Sequence, residues 1–212
     1  MTTIQAKKLT LEDVHRLLNL VEKYEEVSFS KFFSLLPVSE SEKTELLQIR
    51  NDFRSYLRER KAFLGQIKAI TLFPLLRLAG FYHYPMQIQV EEGIENIVIE
   101  DEETIITGRL DIVLVNKEKP TINNIPFWIL VIEAKESAIE VRQGLPQLLT
   151  YAYSSLAQQS VVWGLVTNGL QYLFVRVCLG NPSKYQLMPI LDLMYTTSAI
   201  ELLQVLKAVS QQ

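Results

Sequence analysis

The sequence predicts an α/β protein in which a central mixed β-sheet is flanked by helices. Apolar residues recur at helical spacing over 10–78, whereas 82–178 contains dense runs of Ile, Val and Leu separated by turn-forming residues. One further helical segment interrupts these runs at 138–158. An order of helices, strands, helix and strands is typical of α/β proteins with a mixed sheet.

The first predicted helix covers residues 10–35. Thr10 is expected to cap it, because Asp13 three residues later can complete a capping box. Pro37 and the polar residues after it end this segment. We therefore predict an N-terminal helical extension over residues 1–44, followed by the main domain over 45–212.

A long second helix begins at Ser41 or Thr44 and runs towards Leu78. Pro74 is expected to bend or restart it, because proline cannot donate a backbone hydrogen bond inside a helix. Gly80 ends the helical region, and strand-like sequence follows it.

The remaining elements follow from the apolar runs and the turn residues between them. Strands are predicted over 82–90, 96–99, 105–115, 127–135, 161–166, 170–177 and 185–188. Helices are predicted over 138–158, with a regular part that begins near Pro146, and over 198–209. Asn168-Gly169 favours a hairpin turn between the strands on either side.

Composition limits the classes of protein to consider. Hydrophobic residues make up 48% of the 212 residues, so the chain can bury a sizeable core. The net charge is −3, unlike most non-specific nucleic-acid binders, so any DNA contact must come from a local patch. No P-loop or zinc-type cluster of Cys and His is present. Cys178 is the single cysteine, and no apolar run approaches the roughly 20 residues that span a bilayer, so we expect a cytoplasmic protein.

Charged side chains lie within the two most apolar runs. Asp111 lies in the run 108–115, and Glu133 and Lys135 end the run that begins at Phe127. Burying such charges is costly unless they meet each other, a metal ion or a substrate. These three positions are therefore candidates for a functional site.

Strand geometry groups these side chains. Residues i and i+2 of a strand share a face, so Glu133 and Lys135 project together. Loop formers fill 116–126, which makes an antiparallel pairing of the two strands the simplest arrangement and can bring Asp111 beside Glu133. Two carboxylates suit Mg²⁺, which can activate a phosphodiester for hydrolysis. A nearby lysine can orient the attacking water or stabilise the developing charge.

This pattern resembles the PD-(D/E)xK, or restriction-endonuclease-like, nuclease superfamily, in which an Asp on one strand is followed by Glu-x-Lys on the next. The chain is most similar to the nuclease domains of type I restriction enzyme motor subunits and to their stand-alone relatives. Gln147 and Tyr151 match the QxxxY element on the helix after the lysine strand, and Thr167-Asn168-Gly169 resembles the closing hairpin. The resemblance covers residues 60–178.

The resemblance implies a restriction-endonuclease-like core within 45–212 and a metal-dependent endonuclease that acts on DNA. Asp111 and Glu133 would bind Mg²⁺ or Mn²⁺. Lys135 would assist the attacking water, and Gln147 would support the site from the adjacent helix. A homodimer and partner subunits of a restriction system are further expectations.

A second hypothesis is a non-catalytic module that binds nucleic acid or protein and keeps the nuclease fold. The acidic net charge favours this hypothesis. The helix before the sheet favours it too, because many superfamily members carry a Glu there, whereas this chain offers Glu59, with Gln66 nearer the expected position. Gln147 equally fits an ordinary polar helix position, and Tyr151 fits the core. A basic stripe could contact phosphates, although a solvated helix face is the simpler interpretation; it consists of Arg50, Arg54, Arg58 and Lys61, with Arg60 and Lys68 close by.

Overall fold

The computed structural model describes residues 2–59, 61–94, 96–119 and 127–212, except for the side chain of Glu59. Its main feature is a mixed sheet of eight strands. Seven of them lie in the order β2 (Leu20–Glu22), β10 (Ser183–Leu187), β9 (Gln171–Cys178), β8 (Val161–Thr167), β7 (Phe127–Ala134), β6 (Ile112–Asn116) and β3 (Met86–Val90). The eighth, β11 (Leu191–Asp192), pairs with β9. The pairs β7–β8 and β2–β10 are parallel, and the other pairs are antiparallel.

Helices cover both faces of this sheet, as the α/β prediction requires. One face packs against α2 (Glu40–Glu59), α4 (Phe73–Leu78) and α6 (Thr196–Ser210), and the other against α1 (Leu11–Leu18) and α5 (Leu145–Ser155). Strand β6 shows the alternation, because Ile112 and Leu114 lie in the first core while Val113 and Val115 lie in the second. The apolar runs are therefore dense because both faces of the strands are buried.

A second, three-stranded sheet has the order β1 (Thr2–Gln5), β5 (Thr104–Thr107) and β4 (Ile97–Ile99). The single strand predicted over 105–115 is therefore wrong, because it is divided between β5 and β6 in different sheets. Between them the backbone turns aside: Leu110 N–H donates to the Glu92 carbonyl, and Ile94 N–H donates to the Gly108 carbonyl. Asp111 thus lies just before a strand and not inside one.

The helix predicted over 10–35 is also wrong in length. It ends at Leu18, because Asn19 adopts a left-handed conformation (φ 46°) and Leu20–Glu22 pairs with β10. Its predicted start is confirmed, since Thr10 and Asp13 form a complete capping box. The domain boundary at residue 44 stays a prediction.

The second predicted helix consists of two separate parts. The first is α2, which Ser39 caps through a reciprocal pair of hydrogen bonds with Glu42. The second part contains α3 (Leu64–Ile67), a π-helical turn (Lys68–Leu72) and α4, and Pro74 lies in the first turn of α4. Helical conformation continues without a break from Leu64 through the π-helical turn to Leu78, so the helix restarts at Leu64 and not at Pro74. The predicted restart at the proline is therefore wrong, and the predicted bend stays a prediction.

The hairpin between β8 and β9 forms at the predicted position. Gly169 has φ 84°, a conformation that residues with a β-carbon rarely adopt, and the Phe53 ring packs close above it. Helix α5 also starts as predicted, with Pro146 in its first turn. Across the parts of the chain that the structure describes, none of the helices combines the length and apolar character that a membrane crossing requires.

Candidate functional site

The candidate site lies where β6 begins and β7 ends. The two strands pair antiparallel with Ile112 opposite Ile132, so Asp111 and Glu133 fall one residue beyond that pair, as predicted. The Asp111 carboxylate also accepts a hydrogen bond at Oδ2 from Ala134 N–H, at 2.9 Å. This bond fixes the aspartate against the backbone between Glu133 and Lys135.

Lys135 joins the other predicted site residues. Its Nζ donates to Glu133 Oε1 at 2.7 Å and to Gln147 Oε1 at 3.1 Å. Gln147 Nε2 in turn donates to the Tyr151 hydroxyl at 2.8 Å. Glu133, Lys135 and Gln147 therefore form one hydrogen-bonded chain, in which Tyr151 is the far end and sets the orientation of the Gln147 amide.

A close approach at Gly144 brings α5 over these strands. A β-carbon at this position would lie 2.4 Å from Val166 Cγ1 and 3.2 Å from Lys135 Cε. Only glycine allows the start of α5 to come so near, and the helix then projects Gln147 towards the ammonium of Lys135. The same turn, Val141–Gly144, leaves Arg142 exposed beside the site.

Glu133 is the most perturbed acid of the site. The residue is 2% exposed, and burial raises the pKa of its carboxyl from the ordinary 4.5 to about 7. The negative charge of Asp111 raises the pKa further, whereas the hydrogen-bonded ammonium of Lys135 opposes the rise. Oε2 of this carboxyl is buried and has no hydrogen-bond partner among the residues that the structure describes.

Tyr151 belongs both to the core and to the site. Its side chain is buried, and this burial raises the pKa of the hydroxyl to about 12. The hydroxyl therefore stays protonated at neutral pH while it accepts the hydrogen bond from Gln147. Both interpretations of Tyr151 are thus compatible with its position.

The structure adds Lys68, which the sequence reasoning did not assign to the site. Its Nζ donates to Asp111 Oδ1 at 2.8 Å, and the residue is 9% exposed. The sequence does carry a signal, because Lys68 is the single charged residue between Lys61 and Arg77, in an otherwise apolar segment. An isolated charge of this kind needs a partner when the segment is buried.

The helical segment before the sheet supplies Lys68 and no carboxylate that is seen at the site. Gln66 Oε1 accepts a hydrogen bond from Phe63 N–H at 2.9 Å, so this side chain caps α3. The alternative, Glu59, has a side chain outside the described residues. The ammonium of Lys68, which pairs with Asp111, therefore lies near the position where the resemblance implies a glutamate.

Comparison with known proteins finds partial structural likeness only among solved structures. No protein-family model matches the chain, and no curated protein is similar to it. Among solved structures, a fragment of a candidate HsdR subunit of a type I restriction enzyme from Vibrio vulnificus YJ016 matches 54% of this chain, with 21% identity and a TM-score of 0.39. The match covers 21% of that structure's own chain.

Asp111 and Glu133 offer carboxylate oxygens, the type of ligand that a hard divalent cation prefers. Glu133 Oε2 is a buried carboxylate oxygen without a partner in the described part of the chain, and Asp111 supplies a second carboxylate at the same sheet end. No group of three or more His, Cys, Asp or Glu side chains suited to a metal occurs among the described residues. A cation held here would therefore keep several waters, as Mg²⁺ commonly does.

Proposed function

We propose that this chain is a metal-dependent nuclease that hydrolyses phosphodiester bonds of DNA. The observation that carries the proposal is the end of the β6–β7 pair, where two carboxylates lie next to a lysine that is held in place. Glu133 Oε2 is buried without a partner among the described residues, a costly state for a carboxylate unless another group binds there. Asp111 and Glu133 are the residues proposed to hold Mg²⁺ or Mn²⁺.

The element order supports a restriction-endonuclease-like core. Strands β3, β6 and β7 form an antiparallel set, α5 follows, and β8 returns parallel to β7. Within this core, the first carboxylate lies one residue before β6, and Glu-x-Lys spans the end of β7, with Lys135 just beyond it. Both lie close to the strand positions that the sequence resemblance implies. A restriction-related role and DNA as the substrate rest on that resemblance.

The residues of the chain have distinct proposed roles. A bound cation would supply Lewis-acid polarisation of the phosphodiester. The ammonium of Lys135, fixed by Glu133 and Gln147, would orient the attacking water or stabilise the charge that develops on the phosphate oxygens. As the water oxygen bonds to phosphorus, the bond from phosphorus to the leaving sugar oxygen breaks.

Gln147 is proposed to act by positioning Lys135. Its amide oxygen faces the ammonium, while its amide nitrogen is held by the buried hydroxyl of Tyr151. This arrangement keeps the acceptor towards the lysine and reduces the rotamers open to it. Exposed Arg142, at the start of the same helical region, is a candidate for contact with a DNA phosphate.

Plasmid cleavage tests the proposal. Purified protein is incubated with supercoiled DNA and Mg²⁺ or Mn²⁺, beside Asp111→Ala and Lys135→Ala variants. Asp52→Ala is the matched control, because Asp52 lies on the exposed surface of α2, where it accepts a hydrogen bond from Gln48. We expect the two site variants to lose activity by at least about 100-fold while the control keeps it. Equal cleavage by all four proteins would contradict the assignment.

One observation favours the second candidate, a nucleic-acid- or protein-binding module that retains the fold without cutting. The Lys68 ammonium already pairs with Asp111, and a fixed cation there competes with a metal ion. A wild-type protein that folds and binds DNA, yet neither cuts it nor takes up Mn²⁺ through Asp111 or Glu133, would favour this module over the nuclease.

A further inference from the structure

Lys68 occupies an unusual position in the helical segment before the sheet. It begins the π-helical turn Lys68–Leu72, which separates the regular turns of α3 and α4. Single π-helical turns inside helices frequently lie at functional sites, because they change which residue faces a neighbouring element. Here the residue that faces the site is a lysine.

The lysine takes one oxygen of the carboxylate that is proposed to hold the metal. Lys68 Nζ lies 2.8 Å from Asp111 Oδ1, while Oδ2 of the same carboxylate accepts the backbone N–H of Ala134. A divalent cation bound at Asp111 would face this ammonium at short range in a partly buried setting. Two positive charges on one carboxylate repel each other strongly when little water screens them.

The ammonium of Lys68 needs a second anionic partner if it is to leave Asp111. The Lys68 side chain keeps 11% exposure, so it is nearly but not wholly buried. A buried or half-buried ammonium is stable away from Asp111 only if another anion receives it. In the proposed reaction, a non-bridging oxygen of a DNA phosphate is such an anion.

We propose that Lys68 is a gate on the metal site, which closes it in the free protein and opens it when a DNA phosphate accepts the lysine. This inference rests on the proposed function and adds its regulation. Metal and DNA then bind cooperatively, because each favours the state in which Lys68 has left Asp111. The free protein would bind divalent cations weakly and would take them up when DNA is bound.

Binding of Mn²⁺, followed by the loss of the free-ion signal in electron paramagnetic resonance, tests the gate without measuring cleavage. The proteins are the wild type, Lys68→Met and a control, Lys61→Met, which removes the same charge from an exposed pair with Glu136. Without DNA, we expect Lys68→Met to bind Mn²⁺ on the order of tenfold more tightly or better, and Lys61→Met to stay within about twofold of the wild type.

A short DNA duplex supplies the second arm, with Mn²⁺ bound by the duplex alone subtracted. We expect the duplex to raise Mn²⁺ affinity in the wild type and to raise it much less in Lys68→Met. Lys68→Gln, with a neutral polar side chain, replaces the Met variant if circular dichroism shows that the latter is unfolded.

The outcomes separate the two proposals. Equal Mn²⁺ affinity in wild type and Lys68→Met overturns the gate and leaves the nuclease proposal in place. A tighter Lys68→Met protein that gains as much from DNA as the wild type overturns the link to DNA. No Mn²⁺ binding by any of the proteins, with or without DNA, overturns the proposed metal site itself, and the gate with it.

Discussion

Glu133 is expected to make the stability of the protein depend on pH, and replacing it with Gln isolates that effect. Glu133 is 2% exposed, and burial, followed by the negative charge of Asp111, raises the pKa of its carboxyl from 4.5 to about 7. Gln has nearly the same shape as the protonated acid and does not titrate. The substitution therefore keeps the packing and removes the ionisation.

The free energy of unfolding should fall as pH rises, because the pKa of Glu133 is higher in the folded state than in the unfolded chain. The folded protein holds the Glu133 proton more tightly than the unfolded chain, so the stabilisation is fully present below the unfolded pKa and is lost as pH rises through about 7. Since one pKa unit corresponds to about 1.4 kcal/mol, the free energy of unfolding should fall by roughly 2–3 kcal/mol between about pH 5 and about pH 8 on account of this residue.

Urea denaturation at the two pH values, with a chelator present, measures this change. The quantity of interest is the fall in the free energy of unfolding of the wild type minus the fall in Glu133→Gln, because groups common to both proteins cancel. Glu136→Gln is the matched control, since Glu136 is only half-buried and pairs with Lys61 at the surface. An equal fall in the wild type and Glu133→Gln would refute the reasoning.

Three further predictions concern packing and hydrogen bonding at the site and elsewhere in the fold, and each is measured by urea denaturation. Gly144→Ala should destabilise the protein by about 1–3 kcal/mol, because its β-carbon would lie 2.4 Å from Val166 Cγ1. Its control, Gly65→Ala, has open space in a helix and should stabilise the protein by up to about 1 kcal/mol. Equal effects of the two substitutions would contradict the close approach at Gly144. Thr10→Ala should cost about 1 kcal/mol through loss of the α1 cap, and an unchanged stability would count against the capping box. Tyr151→Phe should cost about 1 kcal/mol by leaving the Gln147 amide without its acceptor, and a variant as stable as the wild type would show that this bond contributes nothing.

Much of the sheet could be predicted because its strands are buried on both faces. The runs that contain β6, β7 and β8 are rich in Ile, Val and Leu, which is typical of strands buried on both faces. The Asn168-Gly169 turn and the Thr10 cap were predictable for a local reason, since their hydrogen bonds form within a few residues. The pairing of β6 with β7 followed from the loop formers between them.

Elements whose conformation depends on distant partners could not be predicted. The segment after Asn19 has an apolar pattern that suits a helix, yet Leu20–Glu22 gains its hydrogen bonds from β10, more than 150 residues away in the sequence. The division of 105–115 into two strands likewise depends on the pairing of β5 with β1. Local sequence carries no information about either partner.

The residues of the candidate site also differ in whether the sequence alone could identify them. Asp111, Glu133 and Lys135 were found because charges inside apolar runs are costly and because strand spacing fixes their faces. Lys68 was missed because its role depends on where its helix docks and on the π-helical turn that directs it to Asp111. Neither property can be read from the spacing of residues in the chain.

Anomalous X-ray scattering from Mn²⁺ tests the central claim most directly. Crystals of Lys135→Ala bound to a short DNA duplex and Mn²⁺ would retain the two carboxylates while cleavage is suppressed. The account predicts a manganese peak within coordination distance of Asp111 and of Glu133 Oε2, with the Lys68 ammonium moved from Asp111 to a phosphate. A map with DNA bound and no peak at these carboxylates would contradict it.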